Sequence, residues 1–275
     1  MIEIPETIAL SKQIKQKFIG KTINRVVADT AHHSYAWYTN DDPDSYPDMI
    51  CGKTIIDAEA YGGKLHVNLT DKFGLMFCDG ASLRYIEKEK KLPKRHQLLI
   101  EFDDGTYLVG TIRMYGGLYA YQETLDVGYN LIARSTRSVF SDEFNSDYLM
   151  KMSDKLDVKK TSVKALLSKE QRIPGFGNGV LQDVLFDASI KPKRKVSTLS
   201  EEDFQQLVNS IKEVLTLMAD SGGRDVEKDL YGNPGGYKTI MSKNTYKSPC
   251  PRCGDGIIKE SFLGGSVYYC GNCQE

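Results

Sequence analysis

The sequence has no long hydrophobic run and no excess of charge of either sign. No stretch of its 275 residues approaches the roughly 18 apolar residues of a membrane-spanning helix, so we expect no membrane partner. The first twenty residues carry acidic side chains early and no long apolar segment, so no signal peptide is predicted and a cytoplasmic location is expected. Internal repeats are also missing, which excludes solenoids. The net charge of −1 neither favours nor excludes a nucleic acid partner.

Cysteine is scarce except at the C-terminal end, where four of the six cysteines fall within the last 26 residues. They form two pairs, Cys250-x-x-Cys253 and Cys270-x-x-Cys273, with 16 residues between the pairs. Paired knuckles with this spacing are typical of a structural site in which four thiolates hold Zn²⁺ tetrahedrally. Two disulfides or four free thiols are the alternatives. Two strand-like segments lie between the knuckles, and we predict a four-cysteine zinc finger over residues 248–275 with Zn²⁺ as its cofactor.

Proline and glycine interrupt a helical segment at residues 174–178, which read Pro-Gly-Phe-Gly-Asn. Apolar side chains recur at helical spacing on both sides, which predicts two helices joined by a tight turn. Gly175 and Gly177 tolerate positive φ and leave backbone amides uncovered, and the helix that starts near Asn178 directs its free N–H groups to one point. This geometry suits a phosphate group. An ordinary helix hairpin with a glycine turn is the alternative.

Positive charge is concentrated around this turn. Residues 151–200 carry 11 basic and 5 acidic side chains, a net charge of +6. Residues 1–150 carry 17 basic and 21 acidic side chains (−4), and residues 201–275 carry 8 and 11 (−3). A phosphate-binding surface requires such a local excess of positive charge. A solvated, lysine-rich helix face would produce the same count.

The hydrophobic periodicity changes along the chain and predicts an α+β protein. Residues 1–125 contain one helix followed by segments of strand-like alternation, which predict an N-terminal β-sandwich with a flanking helix. Residues 126–160 turn to a helical pattern and form a predicted linker region. Residues 161–220 hold the two helices around the glycine turn and a further helix. A polar, glycine-bearing loop at residues 221–247 leads to the ribbon.

Taken together, the glycine turn, the ribbon and the N-terminal segment resemble the formamidopyrimidine-DNA glycosylase/endonuclease VIII family. The most specific parts are residues 174–178, the following Ile190-Lys191-Pro192 and the C-terminal cysteine motifs. The resemblance spans nearly the whole chain and implies a catalytic β-sandwich, a helix–two-turn–helix DNA-binding domain at 161–220 and a zinc finger. It also implies a base-excision repair glycosylase, with or without AP-lyase activity. Its expected partner is double-stranded DNA with a damaged or abasic nucleotide, bound by a monomer that is nucleoid-associated if the source is a bacterium.

The resemblance also implies roles for single residues. Glu3 takes the position of a catalytic glutamate that moves a proton at the sugar or the leaving base, and an ordinary first-turn helix acid is the alternative. The other matched positions contact DNA: Lys64 beside the lesion phosphate, Lys164 and Asn178 on the backbone of the flipped nucleotide, and Arg113 and Tyr115 in the void that it leaves. Lys64 is counted among the catalytic residues as well. A solvated lysine and a core tyrosine are the alternatives for Lys64 and Tyr115.

The chain departs from the family at the predicted nucleophile. The family uses the secondary amine of a proline that removal of Met1 exposes, and residue 2 of this chain is Ile2. Because so bulky a residue normally leaves Met1 in place, we expect a primary amine displaced by one residue. A primary amine still forms a Schiff base with C1′ of deoxyribose, so Met1, Ile2, Glu3 and Lys64 are the predicted catalytic set. An amine out of reach is the alternative, since a misplacement of about 1 Å lowers a rate by about 10²-fold.

Two further departures weaken the expected grip on phosphate. Gly265 replaces an arginine of the ribbon, and Met114 replaces a basic residue that follows Arg113. We therefore keep a second hypothesis, a non-catalytic binder of damaged or abasic DNA that has lost the proline nucleophile. A zinc-ribbon RNA-binding protein is a third hypothesis, under which the glycine turn and the N-terminal segment would be coincidences.

Overall fold

A computed structural model describes residues 1–127 and 129–275; Gly128, which falls in the predicted linker, lies outside the described residues. The chain has the predicted α+β fold, in which a β-sandwich is followed by a helical domain and a C-terminal two-stranded ribbon. Within the described ranges, no helix combines the length and the apolar character that crossing a membrane requires.

Helix α1 (Ile4–Phe18) joins the sandwich to the helical domain. Its side chains divide between two hydrophobic cores, with Leu10, Ile14 and Phe18 in the sandwich and Ile4 among the helices. Glu3 is the N-cap residue, and its backbone N–H donates to the Glu6 carboxylate at 3.1 Å. Because α1 is buried against both cores, the residues that precede it are held at the interface between the domains.

The sandwich is built from strands with alternating buried side chains. In chain order they are β1 (Ile23–Ala28), β2 (Ala36–Trp37), β3 (Ile55–Tyr61), β4 (Lys64–Leu69), β5 (Phe73–Ile86), β6 (Leu98–Phe102) and β7 (Tyr107–Gln122). The strand order is β1-β6-β7-β5-β4-β3, and β2 pairs with β7 in parallel. Phe18, Phe77 and Phe102 are among the largest fully buried side chains of this core.

Residues 32–48 contain more regular structure than their polar composition indicates. Strand β2 lies here, and helix α2 (Tyr46–Ile50) begins within the segment. Tyr46 is fully buried, and its hydroxyl donates to the Leu118 carbonyl at 2.6 Å. Burial of this aromatic ring draws the segment onto the sandwich, an effect that depends on a residue distant in sequence.

The two longest strands, β5 and β7, connect the halves of the sheet. The first half of β5 pairs with the second half of β7, and the second half of β5 with the first half of β7. At the crossing, residues 113–115 of β7 lie opposite Gly80 of β5 and form a β-bulge. A Cβ atom on Gly80 would clash with the bulge backbone. Strand β7 continues through Gly116 and Gly117, because both glycines pair with β5.

The helical domain contains the predicted pair of helices around the glycine turn. Its helices are α3 (Asn130–Ser135), α4 (Ser146–Ser153), α5 (Val163–Ser168), α6 (Asn178–Asp187) and α7 (Glu201–Asp220). Apolar side chains of α5, α6 and α7 share one core. Ser200 caps α7, since its Oγ accepts from the Asp203 amide at 3.2 Å.

The ribbon pairs β8 (Ile257–Phe262) with β9 (Gly265–Cys270) in antiparallel fashion. It is attached to the end and the side of α6. The Gln182 Oε1 accepts from the Tyr268 amide at 3.1 Å, and the Gln274 Nε2 donates to the Ile190 carbonyl at 2.8 Å. The ribbon therefore has a fixed position relative to the helix that follows the glycine turn.

A buried histidine ties the sandwich to the first helix of the helical domain. His66 on β4 is fully buried, with Nδ1 3.0 Å from the Tyr121 hydroxyl and Nε2 2.9 Å from the Asn130 Oδ1. Burial, assisted by the positive charge of Arg134, lowers the pKa of His66 from its usual 6.5 to about 4. The imidazole is therefore neutral at pH 7.

We expect His66 to make the protein less stable as the pH falls from 7 to 4.5. Unfolded His66 binds a proton more tightly than folded His66, so its contribution is fully present above pH 6.5 and is lost as the pH approaches 4. At about 1.36 kcal/mol per unit, the loss is about 2–3 kcal/mol. Urea unfolding at both pH values will measure it. His66→Gln should remove this part of the slope, the exposed His32→Gln should not, and equal slopes in all three would contradict the assignment.

Candidate active site

Three charged side chains are buried together where α1 begins. Glu3 and Glu6 are each 5 % exposed and Arg224 is 2 % exposed. The Arg224 Nη2 and Nε donate to the two Glu6 carboxylate oxygens at 2.8 and 2.9 Å, and its Nη1 lies 3.2 Å from Glu3 Oε2. Buried charges require such pairing. Arg224 belongs to the loop 221–247, so the cluster binds this loop to the N-terminal segment.

The carboxylate of Glu3 also closes the N-terminal end of α6. Its Oε1 accepts from the Gly179 amide at 3.0 Å and its Oε2 from the Val180 amide at 2.8 Å. A helix N-terminus favours a negative charge at this position. We predicted from the sequence that the free amides at this helix end suit a phosphate. Two of them, those of Gly179 and Val180, instead donate to the Glu3 carboxylate.

The pKa values of Glu3 and Glu6 are shifted in opposite directions by their surroundings. Burial raises the pKa of Glu3, and this effect outweighs the attraction of Arg224 and the two helix amides. Burial also acts on Glu6, but the charge and hydrogen bonds of Arg224 outweigh it and lower the pKa of Glu6. Two carboxyl groups whose pKa values diverge are typical of sites in which one group moves protons and the other stays ionised.

The glycine turn between α5 and α6 packs against the turn between β3 and β4. Gly175 has a φ of 75°, which favours glycine. A Cβ atom on Gly175 would clash with the backbone of Gly62 and Gly63, and a Cβ atom on Gly62 would clash with Pro174. The glycines here allow two backbones to approach closely, and this contact brings Lys64 next to the start of α1.

The N-terminal residues lie beside this contact. The Met1 amino group donates to Glu227 Oε1 at 2.7 Å, in a crevice of about 20 Å³ that has room for roughly one water molecule. Ile2 is buried in the sandwich core, and its amide donates to the Asp79 carbonyl at 2.6 Å. While Met1 is present, the Ile2 nitrogen is an amide without nucleophilic character.

Lys64 lies in a larger cavity on the other side of Asp79. Its Nζ is 3.5 Å from Asp79 Oδ2, and the residue is only 8 % exposed. The cavity has a volume of about 430 Å³, within the range of small-molecule sites. Its walls include the aromatic side chains of Trp37, Tyr115, Tyr119 and Tyr129. We call it the Lys64 cavity.

The β-bulge of β7 projects from the edge of this cavity. Arg113 is exposed, and Tyr115 is half-buried with its ring centroid 5.7 Å from that of Trp37. Between them, Met114 is 72 % exposed and has a φ of 67°. Such a conformation is unusual for a residue other than glycine and is found most often at functional sites. Arg113 and Tyr115 therefore flank a protruding apolar side chain to which the sequence assigned no role.

Lys164 and Asn178 contact the ribbon. The buried Lys164 donates from Nζ to the Phe262 carbonyl at 2.7 Å, and burial lowers the pKa of this lysine. The Asn178 Nδ2 donates to the Ser266 carbonyl at 2.9 Å. Gly265 lies in contact with the Asn178 side chain, at a distance of 3.5 Å from an ideal Cβ position. The structure thus brings together the two predicted backbone-gripping residues and the ribbon position that lacks an arginine.

The four C-terminal cysteines converge as a metal site requires. All four Sγ atoms lie within 4.8 Å of one another, with 3.8 Å between Cys250 and Cys273 and 3.5 Å between Cys253 and Cys270. A tetrahedron with Zn–S bonds of about 2.3 Å places its sulfurs roughly 3.8 Å apart, so the thiols fit Zn²⁺. The separations are too long for disulfides, whose S–S bond is about 2.05 Å.

Two family models match the chain in succession. The first, described as the formamidopyrimidine-DNA glycosylase H2TH domain, matches residues 136–228, and the second, a zinc finger found in FPG and IleRS, matches residues 247–275. The formamidopyrimidine-DNA glycosylase of Carboxydothermus hydrogenoformans is 27% identical over 282 residues that cover 100% of each chain. The chain is thus similar to formamidopyrimidine-DNA glycosylases over its whole length, as the sequence motifs predicted.

Solved structures of this family have the same fold as the chain. The Lactococcus lactis Fpg in complex with DNA that contains N7-benzyl-Fapy-dG has a TM-score of 0.85, with 21% identity and 99% of each chain covered. The same protein in complex with DNA that contains an abasic site has a TM-score of 0.83, with 22% identity and 99% of each chain covered. These likenesses confirm the predicted fold. With the zinc-finger match, the cluster of four cysteines is a structural zinc site, as predicted.

Several residues of the candidate site were not predicted from the sequence. Arg224 and Glu227 meet partners 218 and 226 residues away, so no local pattern marks them. Asp79 precedes Gly80 inside a strand, and an isolated glycine in a strand is a known sign of a bulge. Gly80 therefore marks the bulge, and Asp79 beside it, in the sequence. The contact between Asp79 and Lys64 has no such mark.

Proposed function

We propose that the chain is a base-excision repair DNA glycosylase that removes a damaged base from duplex DNA. Attack of one of its own amines on C1′ of the deoxyribose breaks the glycosidic bond. The observation that carries the proposal is Glu3, a buried carboxyl with a raised pKa that is held between the start of α6 and Arg224, two residues after Met1. Similarity to formamidopyrimidine-DNA glycosylases supports the reaction class, and the Lactococcus lactis complexes support damaged or abasic DNA as the substrate.

In this mechanism Glu3 supplies a proton to the leaving base. Its raised pKa lets it keep a proton nearer to neutral pH than an exposed glutamate does. The Gly179 and Val180 amides hold its two oxygens in place. Glu6, whose pKa is lowered, remains ionised and keeps Arg224 in position.

DNA contacts are assigned to the protruding bulge and to the ribbon interface. Arg113, Met114 and Tyr115 project together and fill the void that the flipped nucleotide leaves, a role that arginine, methionine and aromatic side chains serve in other DNA-bending proteins. Lys164 and Asn178 hold the DNA backbone together with the ribbon strands whose carbonyl groups they contact. We expect a monomer to bind the duplex.

The test is release of a damaged base from a duplex oligonucleotide that contains a Fapy-dG lesion. The wild-type protein should release the base, as measured by chromatography of the free base. Glu3→Gln should lower the rate by about 10²–10⁴-fold, the usual range for a group that transfers a proton, while binding of the duplex persists. The exposed Glu143→Gln serves as the matched control and should keep full activity.

Two results would change the proposal. Tight binding of the abasic duplex without any base release would favour the non-catalytic binder. Release that continues unchanged in Glu3→Gln would remove Glu3 from the reaction and leave the glycosylase activity in place. Circular dichroism of each variant distinguishes loss of activity from loss of folding.

A further inference from the structure

We propose that the ε-amino group of Lys64 is the amine that bonds covalently to an abasic deoxyribose, with the Asp79 carboxylate as its proton acceptor. The inference rests on the proposed glycosylase function and names the reacting group within that site. It replaces the N-terminal amine as the nucleophile and assigns the Lys64 cavity as the place where the sugar binds.

The surroundings of Met1 argue against the N-terminal amine. Met1 is 37 % exposed, and the crevice that it borders, of about 20 Å³, holds roughly one water molecule and does not enclose a deoxyribose. The amino group is already paired with Glu227 at 2.7 Å. The next nitrogen along the chain, that of Ile2, is an amide bonded to the Asp79 carbonyl.

Lys64 has the enclosed space that Met1 lacks. Its cavity of about 430 Å³ is some twenty times larger and is walled by aromatic rings on which a neighbouring base can stack. Among the ion pairs of the described residues, Lys64 has one partner, Asp79, at 3.5 Å. A carboxylate at this distance can take up the ammonium proton, and separations longer than a hydrogen bond are common at catalytic sites before substrate binds.

The backbone at Asp79 holds its carboxylate in place. Asp79 has a φ of 59° next to the bulge, and its carbonyl accepts the Ile2 amide. Asp79 therefore joins the N-terminal segment to Lys64, and a conformation of this kind is stabilised by its surroundings and is frequent at active sites. A phosphate bound to Lys64 would instead meet a like charge within a few ångströms.

The same cavity contains a second potential nucleophile, Cys78, which the structure makes unreactive. Burial raises the pKa of the Cys78 thiol to about 12. The thiolate is the reactive form of cysteine, so Cys78 stays protonated at neutral pH. Lys64 is left as the amine of the cavity.

The reaction balances without any further reagent. Ammonium Lys64 gives a proton to Asp79, and the free amine attacks the C1′ aldehyde of the ring-opened sugar, so that an N–C1′ bond forms and the carbonyl π pair moves to oxygen. The amine proton passes to that oxygen, and the resulting hydroxyl leaves as water with the proton held by Asp79. The product is an iminium ion between Lys64 and C1′, which borohydride reduces to a stable amine by hydride addition at C1′.

The experiment traps the protein on an abasic duplex with borohydride and maps the modified residue by proteolysis and mass spectrometry. We expect the adduct on Lys64. Lys64→Arg keeps the positive charge beside Asp79 but has no nucleophilic amine, and it should lower the trapped fraction by about 10²-fold or more. A chain with Gly-Ser added before Met1 should be trapped as the wild type is. Lys72→Arg, an exposed lysine on the same sheet, is the matched control.

Each other outcome overturns the inference in a recognisable way. An adduct on the Met1 amine, or full trapping of Lys64→Arg, removes Lys64 from the reaction and leaves the glycosylase function intact. Base release without any trapping shows that the enzyme uses no amine. Absence of base release, of trapping and of binding to abasic DNA removes the proposed function itself.

The role of Asp79 is tested by the pH dependence of trapping. Asp79→Asn lacks the proton acceptor, so the rate of adduct formation should fall at pH 7 and recover as the pH is raised and solvent removes the ammonium proton. An Asp79→Asn variant with an unshifted pH profile would show that Asp79 has only a structural role.

Discussion

Replacing Arg224 with methionine should lower the free energy of unfolding by about 3–5 kcal/mol, the usual effect of removing one partner from a buried ion pair. The ionised Glu6 carboxylate would remain buried without a counter-charge, and Glu3 would lose its ion-pair partner. Because a domain is typically stable by only about 5–15 kcal/mol, the loss is a large part of the total. Methionine has a similar length, so the change tests the charge more than the packing. Urea unfolding at pH 7 will measure the difference.

The decrease in the free energy of unfolding caused by Arg224→Met should be smaller at acidic pH. Without Arg224, burial raises the folded pKa of Glu6 above its unfolded value. Such a group stabilises the fold below the unfolded pKa, and this contribution is lost as the pH rises through the folded pKa. The Arg224→Met variant should thus be closest to the wild type near pH 4.5. Adding Glu3→Gln and Glu6→Gln should restore stability at pH 7, because neutral amides need no counter-charge.

Arg137→Met provides the matched control. Arg137 pairs with Glu143 at 2.9 Å, but both side chains are exposed. An exposed pair contributes about 0–1 kcal/mol. Equal effects of the Arg137 and Arg224 substitutions would contradict the role given to burial.

Removing the zinc ligand Cys270 by substitution with alanine should unfold the ribbon. Zinc contributes roughly 10–16 kcal/mol to the folding of isolated zinc-finger peptides, and a two-stranded hairpin without metal is at best marginally stable. The amides of Val267 and Tyr268, both buried in the ribbon, should exchange hydrogen faster by about 10³-fold or more, since a loss of about 4 kcal/mol has that effect. Zinc content should fall from one ion per chain to none.

Unfolding of the ribbon should also affect the two residues of the helical domain that contact it. Lys164 and Asn178 donate to ribbon carbonyl groups, so both lose a partner when the ribbon unfolds. We expect binding of abasic DNA to weaken together with zinc loss, while the sandwich core stays protected from exchange. Cys51→Ser, at a half-buried position far from the cluster in sequence, should retain zinc. A Cys270→Ala variant whose ribbon amides remain protected would show that the ribbon folds without metal.

The zinc site and the helix pair were predictable because their signals are local. Each CxxC knuckle brings two thiolates together within four residues, and the strands between the knuckles bring the pairs to one point. The helices on either side of residues 174–178 follow from periodicity and from the proline and glycine between them. The strands were mostly predicted as well, but the bulge at 113–115 was not, because it depends on the close approach of Gly80 from another strand.

By itself the sequence determined the α+β class, the order of the parts, the likeness to formamidopyrimidine-DNA glycosylases and the ligands of the metal. It also indicated that the family's proline is replaced by Ile2. Only the tertiary structure shows the space beside each candidate amine, because the volumes beside Met1 and Lys64 depend on the contacts of Glu227 and Asp79. It also decided that Glu3 is bonded to α6 and Arg224, since these groups lie more than 170 residues apart in the chain. Local sequence patterns do not reveal contacts between residues so far apart in the chain. The pKa and the accessibility of each group depend on those contacts.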